Sequence, residues 1–151
     1  MAILERIQSC FKNVKEMPFI LGSLCSGGMI AAPILLLFIL LPIADWEIDG
    51  RAMSYQEMWL SGDAAALAAC FLLLAAGAWG LAARNRASRW PLVLSPVIPY
   101  ALLTIFRALL PAPAEPIHVD VATSAILTAV VIYFCLFHLR PVREYLDGVG
   151  K

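Results

Sequence analysis

The sequence has little charge and a large excess of apolar residues. Charged residues make up 15% of the chain and hydrophobic residues 62%, with a mean hydropathy of +0.82. A soluble domain is typically about 25% charged and about 45–50% apolar. This composition therefore excludes an ordinary water-soluble fold. The formal net charge is zero, and no basic excess indicates a nucleic-acid partner.

The chain also lacks the residue groupings that catalysis or metal binding requires. Its long apolar stretches contain no Asp or Glu apart from Asp120, which lies at the start of the last stretch. They therefore hold neither a nucleophile with a base nor a carboxylate cluster. His118 and His138 are 20 residues apart, about 30 Å along a helix, too far to hold one haem or metal together. The cysteines form no C-x-x-C pair or zinc spacing: Cys10, Cys25, Cys70 and Cys135. We expect no enzyme, no cofactor and no metal site.

Long apolar stretches dominate what remains. Each is close to the roughly 20 residues that cross a bilayer as a helix, and they occupy residues 18–44, 64–83, 90–110 and 119–139. The pattern predicts an all-α integral membrane protein with four transmembrane helices in an up-down bundle. The connecting segments are residues 1–17, 45–63, 84–89, 111–118 and 140–151.

Basic residues alternate between these connections. From the N-terminus, the connections carry three, one, three, none and three Lys or Arg residues. Cytoplasmic loops retain Lys and Arg, whereas exported loops carry few. The alternation predicts cytoplasmic N- and C-termini, a cytoplasmic loop at 84–89, periplasmic segments at 45–63 and 111–118, and a bacterial inner-membrane location.

Residues 1–17 place apolar and charged side chains on opposite sides of a helix. The apolar stripe comprises Ile3, Leu4, Ile7, Phe11 and Val14. This pattern is typical of a short amphipathic helix that lies in the headgroup layer. The alternative, which we favour, is a flanking segment that only anchors the first span.

The first two predicted spans are rich in small residues. Gly22 and Ser26, Gly28 and Ala32, Gly27 and Ala31, and Ala76 and Gly80 each lie four residues apart. Small residues at this spacing let two membrane helices approach closely. We therefore take Gly22, Ser26, Gly28, Ala76 and Gly80 as candidate partner-binding residues, and expect the second span to be the central helix.

The periplasmic segment 45–63 is the longest polar connection. Asp49-Gly50 indicates a turn, and Ser54 with Glu57 forms the S-x-x-E pattern of a helix-capping box, which predicts a helix from Tyr55 to Leu60. Trp46 and Trp59 suit a membrane interface. With Glu57 they complete our candidate partner-binding set. The segment is either a recognition surface or an ordinary solvated connection.

The third predicted span carries Pro96 and Pro99, which predict a broken helix. Such a break is either a packing device or part of a transport site. Arg107, near the outer end of this span, is a charge within an apolar run and so a functional candidate. We expect it to form a structural ion pair with Asp120, with ligand or partner binding as the alternative.

Size, four spans, cytoplasmic termini and a short outer hairpin together resemble bacterial immunity proteins. Members of that class sit in the inner membrane and neutralise pore-forming toxins that arrive from the periplasm. The resemblance covers the topology of the whole chain and no particular motif. It implies membrane lipid and a toxin as partners, engaged by the small-residue faces and segment 45–63. The alternatives are a small transporter or channel, or an accessory subunit of a membrane complex.

Overall fold

The computed structural model describes residues 2–42, 46–48, 51–109 and 119–148. It is all-α apart from one short hairpin, as the composition predicts. The helices are α1 (Ala2–Glu16), α2 (Phe19–Leu40), α3 (Tyr55–Leu60), α4 (Asp63–Ala82), α5 (Arg89–Leu94), α6 (Val97–Leu109), α7 (Val119–Phe137) and α8 (Arg140–Gly148), with a 3-10 turn at Arg86–Ser88. Strands β1 (Trp46–Ile48) and β2 (Arg51–Met53) pair antiparallel.

Two helices, α2 and α4, are each long and apolar enough to cross a membrane. Two bent pairs reach the same length and composition. One joins Arg86–Leu94 to α6 at 44°, and the other joins Ala122–Phe137 to α8 at 56°. The described chain therefore contains two such helices, or up to four spans if each bent pair counts as one.

Helix α4 is central, as its content of small residues predicts. It packs against α1, α2, α3, α5 and α6, whereas α7 packs against α5, α6 and α8. A Cβ added to Gly28 of α2 would lie 2.6 Å from the Cβ of Ala78, and one added to Gly77 would lie 2.5 Å from Cγ of Leu92. Real Cβ atoms do not approach so closely, so these glycines set the distance between neighbouring helices.

Proline residues explain where two helices stop. Leu41, directly before Pro42, has φ −104° and ψ 135°, because a residue before proline avoids the helical region, and α2 ends at Leu40. Pro96 has no N–H to donate to Leu92, and the Ser95 hydroxyl donates to that carbonyl instead, at 2.8 Å. The chain bends there between α5 and α6, which confirms the predicted break.

Residues 140–148 form a helix that the sequence analysis did not predict. Helix α8 turns away from α7, and its residues Val142 and Leu146 are buried in the core that includes Leu21 and Leu136. It therefore closes one end of the bundle, next to α1 and the 84–89 loop. We call this the inner end, and we call the opposite end, which carries β1, β2 and α3, the outer end.

Candidate functional site

The outer end contains the predicted capped helix. The Ser54 hydroxyl accepts from the Glu57 backbone N–H at 3.3 Å, and the Glu57 carboxylate accepts from the Ser54 backbone N–H at 2.8 Å. This reciprocal pair satisfies free donors at the start of α3. The Glu57 side chain therefore holds the loop in shape.

The hairpin and α3 are anchored to the bundle. Met58 is fully buried together with Ile39 and Ala64, and Trp46 and Trp59 pack against this cluster. On α3 itself, the Tyr55 hydroxyl donates to the Leu40 carbonyl at the end of α2, at 3.0 Å. These contacts make β1, β2 and α3 one folded unit, the outer platform. Its exposed side chains include Glu47, Gln56, Glu57 and Leu60.

A polar cluster ties the start of α4 to α6. Asp63, only 7% exposed, accepts from the Ser61 hydroxyl at 2.6 Å, and Nη2 of Arg107 lies 3.4 Å from its carboxylate. Gly62 has φ +86°, and an added Cβ there would lie 2.8 Å from Cβ of Phe106. The predicted partner of Arg107 is Asp120, whose side chain is outside the described residues. The outer hairpin 111–118 is outside them too. That pairing stays a prediction, and the Asp63 contact was not anticipated.

Most of the predicted small-residue positions serve contacts within the chain. Gly22 faces the Val14 carbonyl and Met17, Gly28 faces Ala78, and Gly80 faces Ser88. The half-buried Ser26 donates to the Ser23 carbonyl in its own helix at 3.1 Å. Of the five, Ala76 alone is exposed.

Gly27 differs from its neighbour Gly28. A Cβ on Gly27 would meet nothing within 4 Å. Ser23 and Ala31, four residues away on either side, are exposed as well. These three residues form an open strip on α2, which we call the α2 small-residue face. The sequence pattern contains both rows of small residues but does not say which row faces inward.

At the inner end, α1, the end of α4 and α8 meet through polar contacts. The Asn13 side-chain amide donates to the Ala82 carbonyl at 2.8 Å, and Arg84 lies 3.6 Å from Glu16. The Tyr145 hydroxyl donates to the Asn13 carbonyl at 3.3 Å. A tyrosine hydroxyl is protonated at neutral pH, and burial raises the pKa of Tyr145 further. The three basic segments of the sequence are thereby brought to one end of the bundle.

Inside the apolar helices, hydroxyl groups bond to their own backbone. The Thr104 hydroxyl donates to the Tyr100 carbonyl at 2.9 Å, and the Thr128 hydroxyl donates to the Ser124 carbonyl at 2.8 Å. Within the described ranges, no three His, Cys, Asp or Glu side chains lie close enough to hold a metal ion.

Comparison with protein-family models, with curated proteins and with solved structures finds no match for this chain.

Proposed function

We propose that this protein is a non-enzymatic, multi-pass protein of the bacterial inner membrane that acts by contacts with another protein in the bilayer. The proposed partner is a membrane-inserting, pore-forming toxin, and the protein would act as its immunity protein. The observation that carries this proposal is the outer platform, a folded surface where a simple connection would have sufficed.

The platform favours recognition over a solvated connection for a physical reason. Binding costs less when the contacting segment is already ordered, and here the capping box, the buried Met58 and the Tyr55 hydrogen bond hold it in one arrangement. Leu60 remains 65% exposed on this ordered surface. In the proposed orientation, a toxin that arrives from the periplasm meets these side chains first.

The α2 small-residue face supplies a second argument for a partner helix. Glycine inside a helix costs about 1 kcal/mol relative to alanine. At Gly28 and Gly77 the close approach of a neighbouring helix offsets this cost, whereas Gly27 has no such neighbour. A helix of another protein would gain the same close packing there.

Identification of the adjacent open reading frame, followed by co-expression with any pore-forming toxin that it encodes, tests the proposal. A potential-sensitive dye should report that cells with the wild-type protein keep their membrane potential. We expect Leu60→Glu and Gly27→Leu to lose protection, because one adds charge to the platform and the other fills the open strip. Ala101→Leu, which adds similar bulk at an exposed position of α6, is the matched control and should protect fully.

Other results would select other functions. Collapse of the potential in the presence of wild-type protein would remove the toxin as partner. Purified protein that moves an ion or solute across liposomes, with the flux abolished by Arg107→Ala, would establish a small transporter or channel. Stable co-purification with a resident membrane complex would establish an accessory subunit.

A further inference from the structure

Three arginine side chains converge on one carboxylate at the inner end. Oδ1 of Asp147 lies 3.9 Å from Nη1 of Arg86 and 3.9 Å from Nη2 of Arg89, and its Oδ2 lies 3.4 Å from Nε of Arg143. The distances from Arg86 and Arg89 to this carboxylate exceed hydrogen-bond length, although Nη2 of Arg86 donates to the Asp147 backbone carbonyl at 2.9 Å. One negative charge shared by three guanidinium groups leaves the group with an excess of positive charge.

Arg89 is the most buried of the three arginines, and two of its nitrogen atoms lack a hydrogen-bond acceptor among the described residues. Its side chain is 12% exposed. Its Nε and Nη2 atoms are buried without a hydrogen-bond acceptor among the described residues. A buried charged donor without an acceptor is costly, by about 1–3 kcal/mol or more. Burial also lowers the pKa of Arg89, against the opposing effect of Asp147. An anion beside the exposed part of this side chain would stabilise its charge, although the Nε and Nη2 atoms themselves are buried.

The surroundings of Arg89 suit a lipid more than a soluble anion. Its guanidinium carbon lies 5.2 Å from the centre of the Phe137 ring, and the neighbouring Trp90 is 53% exposed and packs on that same ring at 5.4 Å. An open cavity of about 610 Å³ adjoins the cluster, and Arg143 is the member of the three arginines that lines it. The other lining residues are His138, Arg140, Glu144, Asp147 and Gly148. Apolar aromatic surface beside basic groups is typical of the headgroup layer of a membrane.

We propose that the inner end holds the phosphate of an anionic phospholipid headgroup, bound by Arg86, Arg89 and Arg143. Arginine presents parallel N–H groups that match two phosphate oxygens. Basic pockets on the cytoplasmic side of membrane helices recognise anionic lipids through this chemistry. The inference rests on the membrane placement given under the proposed function, and it is independent of the toxin.

Lipid-dependent stability of the purified full chain tests this site. In neutral detergent, phosphatidylglycerol should raise the melting temperature and remain bound in native mass spectra, whereas phosphatidylcholine with the same acyl chains should do neither. Inorganic phosphate provides a third arm. If phosphate alone stabilises the protein as much as phosphatidylglycerol does, the site belongs to a free anion and the lipid assignment is wrong.

Arginine variants separate a built site from diffuse attraction. Arg86→Gln and Arg143→Gln should each weaken phosphatidylglycerol binding by about tenfold, the loss expected for one charged hydrogen bond. Arg89→Lys keeps the charge but loses the two-pronged geometry, and should weaken binding similarly. Arg6→Gln is the matched control, because Arg6 is an exposed arginine of α1 and is not among the residues that line the cavity. Equal losses in Arg6→Gln and Arg86→Gln would overturn the proposal.

If Arg89→Lys fails to fold, Arg86→Gln decides the question, because the Arg86 side chain is 48% exposed and its contacts with Asp147 are at the surface. This measurement uses no toxin, so loss of lipid binding and loss of protection are separate results. Lipid binding without protection would leave the site in place and remove only the proposed partner.

Discussion

The two ends of the bundle are held together in different ways. At the outer end, Asp63 is almost fully buried and takes hydrogen bonds from Ser61 and Arg107, beside the capped helix α3. At the inner end, Arg86 and Arg143 share Asp147, whose side chain is 51% exposed, at distances of 3.4–3.9 Å.

This difference affects both stability and binding. A buried pair is strongly coupled, so removing one partner leaves the other without compensation. Exposed ion pairs contribute about 0–1 kcal/mol each and exchange partners readily. The outer end is therefore suited to present a fixed surface, whereas the inner end has several cationic groups beside one shared carboxylate, as the proposed anion site requires.

The largest effect is expected at the buried outer pair. Asp63→Ala removes the carboxylate that faces Arg107 and should lower the free energy of unfolding by about 2 kcal/mol, less than the 3–5 kcal/mol of a fully buried pair, because the Arg107 side chain is 23% exposed. Denaturant unfolding in mixed detergent micelles measures this loss. An unchanged stability would mean that the pair contributes nothing to the outer end.

Adjacent glycines provide the second comparison, between an inward and an outward face of α2. Gly28→Leu should destabilise the protein by about 1–3 kcal/mol, because the new side chain overlaps Ala78. Gly27→Leu should leave the free energy of unfolding unchanged or raise it by about 0.5 kcal/mol, since leucine favours helix and its Cβ would have no neighbour within 4 Å. Equal destabilisation by both would contradict the assignment of the two faces.

The capping box gives a smaller and local effect. Ser54→Ala removes the hydroxyl that accepts from Glu57 and should cost about 1 kcal/mol. Hydrogen exchange at the amides of Tyr55–Leu60 should accelerate, while exchange in α4 stays the same. Gln56→Ala, an exposed position in the same helix, is the control and should change neither. Acceleration throughout α4 would show that α3 is not an independent local unit.

The smallest effect is expected at the inner end. Asp147→Asn should lower the free energy of unfolding by at most about 1 kcal/mol, because its pairs with Arg86 and Arg143 are exposed. Its third partner, Arg89, is 12% exposed but lies 3.9 Å away. The effect should shrink further at high salt, which screens exposed charges. Unfolding measured at low and high ionic strength checks this. A loss as large as that of Asp63→Ala, independent of salt, would erase the distinction between the ends.

Several features could be predicted because their causes are local. Ser54 and Glu57 are three residues apart and specify a cap by themselves, and Pro96 breaks a helix through its own missing N–H. The high content of alanine and glycine in α4 predicts a central helix without any knowledge of its neighbours. The sequence also contains a signal for the hairpin, because Asp49-Gly50 between two short segments favours a turn between paired strands.

Other features depend on pairings that a single sequence does not encode. Asp63 and Arg107 are 44 residues apart in the sequence. Their contact depends on the offset between α4 and α6 along the helix axes. The same applies to Gly27 and Gly28, since only the packing decides which of them faces α4. Helix α8 did carry a local signal, because Val142, Tyr145 and Leu146 recur at helical spacing, but its basic residues indicated only a tail.

Reporter fusions at Gln56, Ala87 and the C-terminus test the central claim most directly, that the two ends lie on opposite faces of a membrane. We expect an alkaline phosphatase fusion to be active at Gln56 alone, and a fluorescent protein that folds only in the cytoplasm to be bright at Ala87 and at the C-terminus. Phosphatase activity at either of the latter two positions would contradict the account.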